Sequence, residues 1–272
     1  MDRRLTPANA RAALESLRGL VDAPRYTAGE PARIAQPVAD LLRAPGGARD
    51  RQLVWGAPVT VIDRHEGWAF LRAETDGYCG YVAEAALAAP QAATHWVASP
   101  GTHLYAGPKV QHREIAALSL GARVQVTGQT GAWAETPDGF VPAGHLRPLG
   151  DWLADPAGVA QGLLHTPYLW GGNSRAGIDC SGLAQVAFQA CGIALPGDSD
   201  LQAACGEAIP QDAPLRRNDL LFWKGHVAIA LSDARMIHAT GAYMAVVEEG
   251  IAEAIARIRA AGEGEVTHRR RL

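Results

Sequence analysis

Cys180 stands directly after Asp179 and just before a run in which Leu183, Val186, Ala187 and Ala190 recur at the spacing of one helix face. Asp179 is a good N-cap, so the thiol is expected in the first turn of a helix. Free backbone N–H groups and the helix dipole favour a thiolate there, and the thiolate is the nucleophilic form of cysteine. A cysteine nucleophile also needs a base. His226 opens the apolar run Val227-Ala228-Ile229-Ala230-Leu231, which reads as a buried strand, and His238 lies on the next strand, Met236 to Ala239. The chemistry predicted is attack on a carbonyl, with Cys180 as nucleophile, His226 as base and His238 as the residue that orients the base. The same three residues could ligate zinc, but a cysteine at a helix start argues for the nucleophile. No metal and no cofactor are expected.

The histidines can meet only if they share one face of their hairpin. Side chains alternate along a strand, so opposed residue numbers must sum to an even value. A three-residue loop closed by Leu231 and Arg235 sets His238 opposite Ala228, diagonal to His226. A four-residue loop closed by Leu231 and Met236 would put the rings on opposite faces. An odd-length loop or a bulge between Leu231 and His238 is therefore predicted.

The chain ahead of these elements is long enough for two or three domains at 272 residues. Residues 1–36 read as an N-terminal helix over 6–20 followed by an extended connection. An internal repeat comes next. Gly56-Ala57-Pro58-Val59-Thr60-Val61 leads to Trp68-Ala69, and Gly121-Ala122-Arg123-Val124-Gln125-Val126 leads to Trp133-Ala134 at the same offset. Each copy then carries a turn and an aromatic, Asp76-Gly77-Tyr78 or Asp138-Gly139-Phe140. The period-2 alternation marks strands. Two small β-barrels, 37–90 and 94–148, are predicted, with a single sandwich built from both copies as the alternative. The first copy carries an insertion, Tyr78-Cys79-Gly80-Tyr81. The catalytic segment spans 149–272, with a late helix at 249–260 and Val266-Thr267-His268 closing the sheet. The Arg-rich stretch His268 to Arg271 reads as a solvated tail.

A net charge of −3 gives no grip on nucleic acid. No apolar run is long enough to span a membrane. The segment Met1 to Pro7 lacks the apolar stretch of a signal peptide, so a cytoplasmic setting is expected. Cys79, Cys180, Cys191 and Cys205 match no zinc or redox spacing, which suits a reduced chain with one working thiol.

Four pieces in order carry a family resemblance: Tyr168-Leu169-Trp170-Gly171-Gly172, Asp179-Cys180-Ser181-Gly182, the strand from His226, and Ile237-His238-Ala239. Together they resemble the NlpC-type cysteine peptidases that cut bacterial cell-wall peptides, over roughly residues 150–270. The repeats resemble bacterial SH3-like domains. The fold this implies is multidomain: two small all-β SH3-like barrels, then an α+β papain-like cysteine peptidase domain. The implied reaction is hydrolysis of the γ-D-glutamyl–diamino acid bond in a murein tri- or tetrapeptide with a free N-terminal L-Ala, in peptide recycling. The resemblance also implies that Asp179 and Ser181 help hold the substrate's amino-terminal residue. Asp198 and Ser199 resemble a second pair for the same task, Trp170 a pocket wall, and Tyr78, in preference to Tyr81, an aromatic that reaches over the site. Relatives usually have Gly where Asn218 precedes Asp219, a departure that bears on a turn.

Simpler readings compete. Asp179, Ser181 and Asp198 could be helix or loop caps, Trp170 core, and Tyr78 a surface aromatic. The chain could instead be an amidase or acyltransferase on the same fold, or a non-catalytic wall-binding module.

Overall fold

The alternation in the repeated segments becomes sheet. Pro58–His65 pairs antiparallel with Trp68–Ala73, which pairs in turn with Cys79–Ala83. The computed structural model describes residues 1–272 and divides into two units, Met1–Leu149 and Gly150–Leu272. None of its helices is long and apolar enough to cross a membrane.

In the first unit a seven-stranded sheet curls around Ile34, Leu41, Val59, Val61, Leu71 and Val82. It starts earlier than predicted, because Glu30–Ile34 pairs with Pro58–His65 and with Leu87–Ala88. The helix expected over 6–20 is absent. The Asn9 side chain accepts from the amides of Arg11 and Ala12, offering the backbone an alternative to a helical turn. Ala13–Leu14 then pairs in parallel with Tyr26–Thr27, and a single 3-10 turn remains at Glu15–Leu17.

The second repeat forms a three-stranded and a five-stranded sheet around its own core of Val97, Leu104, Leu118, Val124 and Val141. Trp55 of the first repeat is buried in that core, and its carbonyl accepts from Arg123 at 2.9 Å. The two repeats thus keep separate cores, with Val54 and Trp55 of the first packed on the second.

The second unit is built on six antiparallel strands in the order Glu207–Ala208, His268–Arg271, Leu220–Trp223, His226–Ala230, Arg235–Thr240, Ala245–Gly250. The helix Cys180–Gln189 packs on the two central histidine strands. The helix Ile251–Ala260 buries Ile251, Ala254 and Ile258 among Trp223, Ala228 and Met236. The Arg-rich stretch is a strand and not a tail. Arg269 is buried and donates to the carbonyls of Pro210, Gln211 and Ala213, while Arg271 pairs with buried Asp219. A guanidinium buried this way is tolerated because its donors find carbonyls.

Candidate active site

Asp179 caps the cysteine helix. Its Oδ1 accepts from the Gly182 amide at 2.6 Å and from the Ser181 hydroxyl at 3.0 Å, and its Oδ2 accepts from the Gly171 amide at 2.8 Å. One carboxylate thus ties the Trp170-Gly171-Gly172 loop to the helix start and fixes Cys180 as the first helical residue. The Cys180 Sγ lies 3.9 Å from the carbonyl of Gly225. Gly225 has φ +78°, which lets Lys224-Gly225 turn the chain between the paired residues Trp223 and His226. The base therefore begins its strand beside the thiol.

The histidine hairpin closes as the parity argument requires. Leu231 and Arg235 close a three-residue loop, and Ala230 and Ile229 pair with Met236 and Ile237. Both rings fall on one face, with His226 Nε2 2.8 Å from His238 Nδ1. The other nitrogen of His238, Nε2, lies 2.7 Å from Glu249 Oε2. Glu249 in turn accepts from Arg257 Nε at 3.1 Å and from the Tyr243 hydroxyl at 3.2 Å. With His226 Nε2 engaged, Nδ1 is the nitrogen left for the thiol.

Burial sets the charges. It lowers His226 to about 3, with His238 and then Arg257 adding to the effect and Glu249 opposing it. Burial also lowers His238, outweighing the Glu249 bond. For Glu249 burial works upward, and the hydrogen bonds from Arg257 and His238 outweigh it and hold the carboxyl low. Both rings are neutral beside a carboxylate. Burial pushes the Cys180 thiol up to about 12, and Asp179 adds to this, against the N–H groups of Val227, Ser181 and Cys180. Burial thus works against the thiolate that the helix start favours. Desolvation exceeds what the helix N-terminus supplies, and the resting pair is thiol and neutral imidazole. Such a pair acts by general base catalysis, the proton leaving sulfur as the carbon–sulfur bond forms.

The remaining expected residues divide. Ser181 is buried and bonded to Asp179. Asp198 has φ +63° and makes no side-chain cap bond to the short helix Ser199–Gln202. A non-glycine residue at such a φ costs roughly 1–3 kcal/mol and persists only where its surroundings hold it. Here Gln185 and Gln202 do so, donating to the carbonyls of Leu195 and Pro196. Gln202 also donates to the Ser181 carbonyl at 2.9 Å, joining the Asp198–Ser199 segment to the cysteine helix. Trp170 is 69% exposed, which excludes the core reading. The preference for Tyr78 over Tyr81 as the aromatic that reaches over the site, and the surface reading of Tyr78, are corrected. Tyr78 is buried in the first barrel's core, turned inward by the bond from its amide to Asp76, whereas Tyr81 is half-buried against Phe70.

Three residues escaped the sequence reading. Glu249 and Arg257 complete the chain behind His238; the signal for them was that a buried histidine needs a partner on each nitrogen. Tyr168 sits in the motif already singled out. Burial raises its phenol, with Cys180 and Asp179 adding to this, so it stays a proton donor.

Against known proteins, residues 165–260 match the NlpC/P60 family and residues 41–87 match the bacterial dipeptidyl-peptidase Sh3 domain. The chain is 27% identical to a γ-D-glutamyl-L-lysine dipeptidyl-peptidase of Bacillus cereus, over 72% of this chain and 69% of that protein. It is 26% identical to a dipeptidyl-peptidase 6 of Lysinibacillus sphaericus, over 70% of this chain and 79% of the relative. The crystal structure of an NlpC/P60 family protein from Bacillus cereus superposes with a TM-score of 0.76 at 22% identity, covering 89% of this chain and 99% of that one. That likeness concerns the fold.

Proposed function

We propose, for a chain that is an NlpC/P60 cysteine peptidase carrying a bacterial dipeptidyl-peptidase SH3 domain, that it hydrolyses the γ-D-glutamyl–diamino acid bond of short murein peptides with a free N-terminal L-Ala. The observation that carries the catalytic part is the bonded series His226–His238–Glu249 beginning beside the helix-start thiol. The relatives named for γ-D-glutamyl-L-lysine and dipeptidyl-peptidase activity support the substrate class. The setting proposed is the recycling of released peptides in the cytoplasm.

In this mechanism the Cys180 sulfur attacks the γ-carbonyl while His226 Nδ1 takes the thiol proton. The backbone N–H of Cys180, at the helix start, and the Tyr168 hydroxyl are donors for the developing oxyanion. The imidazolium then protonates the leaving amine, which departs as the diamino acid and leaves a γ-glutamyl thioester. Water, deprotonated by the same imidazole, hydrolyses the thioester and restores the thiol. The charge that appears on the histidine pair during this cycle faces the Glu249 carboxylate. At the other end of the substrate, Asp198 is the carboxylate proposed to pair with the free α-ammonium.

The test is incubation of the purified chain with L-Ala-γ-D-Glu-diaminopimelate, the corresponding lysine peptide and the N-acetylated twin of each. Release of the dipeptide L-Ala-D-Glu from the free peptides, abolished by Cys180→Ala, is the expected result. Equal cleavage of the acetylated twins would remove the free-amine part of the reading, and no cleavage of any would remove the substrate.

A further inference from the structure

We infer that Glu249, clamped by Arg257 and Tyr243, is a positioning residue that sets the proton arrangement of both histidines and thereby keeps His226 competent as a base. The inference rests on the proposed function for its kinetic consequence, but not for its structural content.

The argument is one of donors and acceptors. A neutral imidazole carries one N–H and one bare nitrogen. A carboxylate can only accept, and Glu249 is held ionised by its bonds from Arg257 and His238. The 2.7 Å contact with His238 Nε2 therefore requires the His238 proton on Nε2. His238 Nδ1 is then bare and can only accept. Across the 2.8 Å contact, His226 Nε2 must donate. That leaves His226 Nδ1 bare, and this is the nitrogen that must take the thiol proton. Reversing any one link places a proton on His226 Nδ1 and disables the base. His238 by itself cannot choose, because an imidazole presents a donor or an acceptor at Nδ1 equally well. The choice is made one residue further back, where the chemistry is acceptor-only.

The clamp has the form this role needs. Arg257 donates through Nε to Oε1 and through Nη2 to Oε2, Tyr243 donates to Oε1, and the Arg257 guanidinium also stacks on the Tyr243 ring at 5.3 Å. Glu249 lies at the end of Ala245–Gly250 and Arg257 two turns into Ile251–Ala260, so the fold's last hairpin and last long helix hold one carboxylate in place. Two donors, His238 Nε2 and Arg257 Nη2, converge on Oε2. In Glu249→Gln the amide oxygen would keep that position, because an NH₂ at Oε1 is tolerated by the Tyr243 hydroxyl, which can turn to accept, whereas one at Oε2 would face the His238 and Arg257 donors.

The test is read in the protein itself. In uniformly ¹⁵N-histidine-labelled enzyme, long-range ¹H–¹⁵N spectra should show His226 and His238 both protonated at Nε2, with pyridine-like Nδ1 signals. Glu249→Ala should turn the His226 pattern into a mixture of both tautomers. It should lower kcat roughly 100-fold, the scale of general base catalysis, and leave KM within about threefold. Glu249→Gln should recover the wild-type tautomer pattern and most of kcat, since an acceptor suffices. A wild-type His226 that carries its proton on Nδ1 overturns the inference, and so does Glu249→Ala with unchanged tautomers and kcat. Where Glu249→Ala does not fold, the wild-type spectrum decides. The spectra need no substrate, so turnover surviving in Cys180→Ala would sink the proposed mechanism and leave the proton arrangement standing.

Discussion

Leu231 donates its amide to the carbonyl of Arg235 at 2.8 Å, and that single closure decides that His238 faces His226. The register carried back from it sets His238 across from Ala228, which is buried. There is no room there for a larger side chain. Ala228→Leu should separate the rings and cost about 1–3 kcal/mol in stability by overpacking. Its kcat should fall far more than the rate at which iodoacetamide labels Cys180. Wild-type kcat in a folded Ala228→Leu protein would show that the ring pair tolerates displacement.

Cys180→Ala should abolish hydrolysis with the fold intact by circular dichroism. Cys79→Ala, Cys191→Ser and Cys205→Ser should retain activity, because Cys79 and Cys205 donate to the nearby carbonyls of Gly77 and Leu201 and Cys191 follows the end of the nucleophile's helix, not its start. Residual turnover within tenfold of wild type in Cys180→Ala would remove the nucleophile assignment.

The pH dependence follows from a resting pair without charge. His226 is lowered from 6.5 to about 3, so it stays a free base as pH falls through the ordinary imidazole range. The acid limb of kcat/KM should lie below that range, and iodoacetamide labelling of Cys180 in resting enzyme should rise only above the ordinary thiol value of 9.0. For stability the sign runs the same way. Between about 3 and 6.5 the unfolded histidine binds a proton that the folded one does not, so stability falls as pH falls through this window. His226→Gln should weaken that slope of Tm against pH. A labelling midpoint well under 9 would instead indicate a preformed thiolate–imidazolium pair.

Tyr168→Phe removes one hydroxyl near the thiol. It should lower kcat by roughly 10- to 100-fold with little change in KM, the pattern of a bond made only in the transition state. An effect confined to KM would assign Tyr168 to binding.

Asp198→Ala, or acetylation of the substrate amine, should each lower kcat/KM by about 30-fold, because losing one partner strands the other at a cost of roughly 2–5 kcal/mol. Combining them should cost little more, since both remove the same pair. Additive losses would place the α-ammonium elsewhere.

Much of the site was legible before the fold. Asp179 as cap and Cys180 as first helical residue follow from local chemistry, and the hairpin parity follows from counting. Asn218 in the place of a glycine is explained by its φ of +76°, a conformation that asparagine tolerates better than most residues. What stayed hidden depends on partners remote in sequence. The strand His268–Arg271 is polar throughout, so no alternation betrays that Arg269 turns inward to three carbonyls. Tyr78 looked like a loop aromatic because the turn at Asp76-Gly77 that tucks it inward has the same residues whichever way it points. Glu249 and Arg257, eight residues apart, pair only because the chain turns from the strand Ala245–Gly250 straight into the helix Ile251–Ala260.

Gln202 holds two loops with one nitrogen. Its amide donates both to the Ser181 carbonyl, next to the nucleophile, and to the Pro196 carbonyl, at the base of the Asp198 segment. With the roles proposed for Asp198 and Cys180, specificity and reactivity are therefore mechanically geared in this domain. A designer who wishes to give the enzyme a different amino-terminal preference cannot exchange residues 195–199 as an independent cassette. The replacement has to be moved together with residues 181–202, or the nucleophile will drift with the pocket.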